Sequence, residues 1–143
     1  MSLSERPVGE FLAALGERTP APASGAATAL TAALAAALVE LAGRFAGDDE
    51  AVVRAKALGS RLAELADEDA AAYTAFLAER SDATRERIIA VPLEIAECAD
   101  EAAELAERVR QQLRTAVVGD AEAARDLART ASRVARRLAE MNG

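Results

Sequence analysis

The sequence predicts an all-α protein, a bundle of about five helices with no sheet. Three observations carry this reading. Residues 19–45, TPAPASGAATALTAALAAALVELAGRF, run from a Pro-x-Pro turn and one Gly into a long helix of little but Ala and Leu, with few charges before Glu40. Hydrophobic residues make up 52% of the chain and aromatics only 3%, so the core is built from Ala, Leu and Val, which suits closely packed helices. Elsewhere apolar residues recur at three- and four-residue steps, and no alternating strand pattern competes.

Each element follows from local signals. Pro7 opens a short helix through Phe11, Leu12 and Leu15, with Gly16 as its stop. Thr19 to Gly25 is the one stretch rich in Pro, Gly and Ser. The Ala-rich helix follows; being apolar nearly all round, it is expected to be buried. It ends near Gly47, where Asp48 and Asp49 are N-cap candidates for a third helix over about 49–79. Ser81 and Asp82 cap a fourth helix, with Ile88, Ile95, Ala99, Ala102, Ala106, Val109 and Leu113 on one face. Pro92 falls inside that pattern and is expected to kink the helix or to mark its true start. Gly119 and Asp120 open a fifth, with Leu127, Ala131, Val134, Leu138 and Met141 as its apolar stripe and Asp120 as N-cap.

The 143 residues read as one domain, 1–143, with a single core. A net charge of −7 argues against a nucleic-acid binder, which needs a basic surface, and against an anionic membrane. The apolar run starts after a charged segment and leans on Ala and Thr, so neither a signal peptide nor a membrane span is expected. With one Cys and no His, internal disulfides and imidazole catalysis are excluded. Cys98 reads as a small buried filler, and the chain as cytoplasmic. No phosphate-binding loop, dinucleotide turn, Cys/His cluster or serine elbow is present; no metal and no cofactor are expected.

The third helix holds the most informative polar residue. Its stripe reads Leu58, Leu62, Leu65, Asp69, Tyr73, Phe76, which puts Asp69 on or beside the inward face. Asp67, rotated by roughly 200°, is expected to face solvent. A carboxylate in such a stripe is either bonded to a neighbouring hydroxyl or Arg for structural reasons, or is an acid/base with raised pKa in a cleft. Ser24, Thr28 and Thr31 share one face at the start of the Ala-rich helix, where they either line a polar groove or bond back to their own carbonyls. Arg125, Arg129, Arg133 and Arg137, with Arg136 beside them, form a basic stripe. It either pairs with Glu97, Glu101, Glu104 and Glu107 of the fourth helix or receives a polyanionic tail.

Three segments together resemble the formiminotetrahydrofolate cyclodeaminase / methenyltetrahydrofolate cyclohydrolase family, whose all-helical domain is also the C-terminal half of formiminotransferase-cyclodeaminases. They are FLAALGERTPAPASGAATALTAALAAALVELAGRF, LADEDAAAYTAFLAE and IIAVPLEIAECADEAAEL, with a weaker match through GDAEAARDLARTASRVARRLAEMN. The family's Asp-x-Asp falls on Asp67 and Asp69, and helical phase independently favours Asp69. The resemblance implies a cyclodeaminase or cyclohydrolase acting on formimino- or methenyltetrahydrofolate, with Asp69 as acid/base. It implies Ser24, Gly25, Thr28, Asp67, Tyr73 and Asp120 around a folate substrate, no separate cofactor, and a homodimer. There are departures. The family's Gly-Gly-Gly-Ser turn reads Ala23, Ser24, Gly25 and Ala26 here, the Leu-Pro-Lys segment is missing, and Gly119 replaces Ser. The alternative is a non-catalytic helical dimerisation or partner-binding module on the same fold.

Overall fold

The computed structural model describes all residues 1–143. After a 3-10 turn at Leu3–Glu5 come α1 (Val8–Gly16), α2 (Ser24–Ala46), α3 (Asp49–Ala78), α4 (Asp82–Gln112) and α5 (Val118–Asn142), with no strand. The predicted fold class and the five helices stand.

The four long helices form an antiparallel bundle. Each packs against its neighbours in the order α2–α3–α4–α5 and back to α2, and α2 also meets α4 across the diagonal. Alanine makes that diagonal contact possible: Ala26, Ala29, Ala32, Ala35, Ala36, Ala99, Ala102 and Ala106 have no exposed surface. Leu62, Leu65, Ile95, Val39, Val91 and Val109 are the large, fully enclosed side chains.

The turns are set by their residues. Gly47 ends α2 in the left-handed region (φ 72°). Its N–H donates to the Arg44 carbonyl, and the Asp48 N–H to that of Gly43, at 3.3 and 3.0 Å, a Schellman turn. Asp48 then caps α3, accepting from the Ala51 N–H at 3.1 Å. The same buried carboxylate accepts from Arg108 Nη2 and Gln112 Nε2, both at 2.8 Å, which ties this turn to the end of α4. The Gln112 bond first, then the Ala51 and Arg108 contacts, hold Asp48 below the usual carboxylate range against the effect of burial. Ser81 caps α4 in a reciprocal box with Thr84.

Three expectations need correction, and one of the two alternatives for Pro92 is excluded. α2 is buried along one face only: Leu34, Leu41 and Phe45 on the other are 65%, 40% and 66% exposed. α2 is also the one helix long and apolar enough to cross a membrane by length and composition, and half of that window is buried within the bundle. Pro92 does not begin α4, which starts ten residues earlier behind the Ser81 cap. Helix α5 starts at Val118 with Val117 at its N-cap, so Asp120 is already inside the first turn and caps nothing. Of the α5 stripe, Ala131 is buried, but Leu127, Val134 and Met141 are exposed.

Candidate functional site

Because the bundle is antiparallel, one of its ends gathers the start of α2, the second half of α3, the first third of α4 and the last turns of α5. A cleft of about 280 Å³ opens there, lined by Pro20, Ala21, Ala23, Ser24, Gly25, Asp69, Tyr73, Ile88, Pro92, Leu138 and Asn142. Its walls are mixed, with Ile88, Pro92 and Leu138 beside the polar side chains of Ser24, Asp69, Tyr73 and Asn142.

Asp69 is the only acidic residue in the lining. No protein group hydrogen-bonds to its carboxylate, and neither a hydroxyl nor an Arg neutralises it. Burial, which penalises the charged form, pushes its pKa above the ordinary value. The carboxyl group lies directly over Gly25: a Cβ built there would overlap Asp69 Cγ and both carboxylate oxygens. Of the three glycine positions in the resembled turn, the retained one is therefore the one that Asp69 needs. Ala23 and Ser24, at the other two glycine positions, both stand on the cleft wall, and Ala26, at the serine position, sits in the core.

The start of α2 adds donors. Ala23 at the N-cap offers no side-chain acceptor, and the N–H groups of Ser24, Gly25 and Ala26 have no acceptor within the protein. A helix start with free N–H groups favours negative charge. The Ser24 hydroxyl is uncommitted at the cleft edge, and Tyr73, one turn beyond Asp69, supplies a ring and a hydroxyl.

The structure thus brings together Asp69, Ser24, Gly25 and Tyr73. It separates the other three expected site residues. Thr28 is buried and its hydroxyl donates to the Ser24 carbonyl at 2.7 Å, a bond within its own helix. Asp67 is half-buried rather than facing solvent, and accepts from the Leu3 N–H at 2.8 Å. It fastens the N-terminal turn to α3. Asp120 lies near the opposite end of α5, 18 residues before Leu138 and so roughly 27 Å from the cleft along the helix.

Sequence reasoning missed Asn142 as a cleft residue. Its Nδ2 donates to the Ile88 carbonyl at 2.8 Å. The signal was Pro92, whose missing N–H orphans the carbonyl four residues before it.

The Arg stripe of α5 pairs with α4 only in part. Arg125 bonds Glu107 at 2.9 Å and Arg136 pairs with Asp100, which also accepts from Ser132. Glu101 is taken by Arg54 of α3 instead. Arg129, Arg133 and Arg137 are exposed and have no carboxylate partner. Cys98 is half-buried, and its burial raises the thiol pKa.

The chain is an antiparallel all-helical bundle with a lone, desolvated carboxylate in the cleft at one end. The formiminotransferase-cyclodeaminase family model matches residues 7–143, and the chain belongs to that family. No curated protein matches it.

Proposed function

We propose that the cleft is an active site for one-carbon-substituted tetrahydrofolate, with Asp69 as its general acid/base. The observation that carries this is the Asp69 carboxylate itself: desolvated, without a protein partner, and held open to the cleft by the absence of a side chain at Gly25. A carboxyl group in that state exchanges its proton closer to neutral pH than an exposed one does, as acid/base catalysis asks.

The chemistry is a single class. In hydrolysis of the methenyl form, water adds to the carbon between the two folate nitrogens. Asp69 takes the water proton and returns it to the departing nitrogen as that carbon–nitrogen bond breaks, while the hydroxyl of the adduct loses its proton to solvent to leave a formyl group. In cyclodeamination, the second folate nitrogen adds to the formimino carbon and Asp69 returns a proton to the departing ammonia. Ser24, Tyr73 and the free N–H groups of α2 position the substrate; Thr28, Asp67 and Asp120 do not belong to this site.

The reading includes a homodimer assembled through α2. Ala27, Leu30, Leu34, Ala37 and Leu41 lie at three- and four-residue steps along its outer face, with Leu38 and Phe45 alongside and no charge among them. That spacing suits knobs-into-holes packing, and a two-fold axis would set this face against the same face of a second copy.

Turnover of each folate by the wild-type protein tests the proposal. Acceleration of either reaction supports it. A stable dimer that neither binds nor converts any reduced folate supports the non-catalytic module, which the altered turn and the missing Leu-Pro-Lys segment favour.

A further inference from the structure

We infer that Asn142 is a ligand-positioning residue of the cleft, its amide held in one orientation by the break that Pro92 makes in α4. The ligand's identity rests on the folate reading above; the lock on Asn142 does not.

Pro92 lies inside α4 and has no N–H, so the carbonyl of Ile88 lacks its i+4 helical donor. An inward backbone carbonyl without a donor is costly, and proteins supply a substitute. Here the substitute comes from another helix, the Asn142 Nδ2 at 2.8 Å. A carbonyl oxygen only accepts, so the amide nitrogen must face it and the side chain cannot flip. One donor would suffice to satisfy Ile88. The amide brings more: Oδ1 and a second N–H, neither bonded to any protein group. Asn142, Ile88 and Pro92 all line the cleft that holds Asp69. The site therefore carries a planar acceptor–donor pair of set orientation near its acid/base. That pair fits a ligand edge on which an N–H stands beside an acceptor.

The test compares Asn142→Ala, Pro92→Ala and the double variant by thermal unfolding and by kinetics with methenyltetrahydrofolate. The Pro92→Ala substitution restores a backbone N–H for the Ile88 carbonyl. Asn142→Ala is therefore expected to lower Tm in the wild-type background and to leave it unchanged in the Pro92→Ala background. Equal losses in both backgrounds overturn the lock. For positioning, Asn142→Ala should raise KM about tenfold, the loss of one hydrogen bond to ligand, while kcat changes much less. An unchanged KM in an active enzyme overturns the positioning role and leaves the folate reading intact. A wild type that neither binds nor hydrolyses methenyltetrahydrofolate overturns the folate reading and the positioning role together.

Discussion

The Asp69 carboxyl group lies against the bare Cα of Gly25, with no room for a methyl group between α2 and α3 at that point. Each residue explains the other. Gly25 is the second residue of a helix, where its backbone freedom is of no use; what α3 requires there is the missing side chain.

Gly25→Ala should therefore act through Asp69. The added carbon displaces the carboxyl group, and overpacking of this kind costs about 1–3 kcal/mol. Turnover should fall about 100-fold if the acid/base moves by an ångström. Urea unfolding of Gly25→Ala with and without Asp69→Ala checks the mechanism. The cost should shrink in the Asp69→Ala background and persist if the clash is with anything else.

Asp69→Asn should be at least as stable as wild type at neutral pH. The folded-state pKa of Asp69 is raised by burial. Stability from such a group is complete below its unfolded pKa, about 3.9, and is lost as pH rises through the folded value. Asparagine escapes that loss. Thermal unfolding across the acid-to-neutral range should show the two proteins diverging as pH rises, with the variant ahead. A variant that is less stable at neutral pH would mean that the charged carboxylate has a stabilising partner.

Asp48 should behave in the opposite sense. It caps α3, and Arg108 and Gln112 bind the same carboxylate. Its folded pKa is depressed, so its contribution is present above the unfolded pKa and is lost as pH falls through the folded value. Asp48→Ala should cost about 2 kcal/mol at neutral pH. Denaturant titrations should find that difference narrowing in acid.

Leu34→Glu combined with Leu41→Glu should separate the proposed dimer without unfolding the bundle, because both side chains are exposed in the single chain. Light scattering after size exclusion should give a monomer with unchanged helical circular dichroism. A dimer that persists would place the interface elsewhere.

Much of this was legible in the sequence, and the failures share a cause. Helical period placed Asp69 on the inward stripe of α3, and turn chemistry placed Gly47 and Ser81 at their helix ends. Period does not say how much of a face is covered. Thus α2, apolar nearly all round, was expected to be buried, although only one side has neighbours. Nor does it register contacts from segments distant in the chain: Asp67 was read as solvent-facing, but Leu3 returns to bond it. The Ser24/Thr28 face divided between the alternatives already open for it. Ser24 reaches the cleft, while Thr28 bonds back within its helix. Asn142 carries no signal in its own segment; Pro92 marks the carbonyl that needs a donor, and only the pairing of α4 with α5 brings Asn142 to it.

The most direct measurement is hydrolysis of methenyltetrahydrofolate, followed by its absorbance, with wild type beside Asp69→Asn. The account predicts that wild type accelerates the reaction and that the folded variant loses at least about 100-fold. Asp69→Asn turning over at the wild-type rate would contradict it.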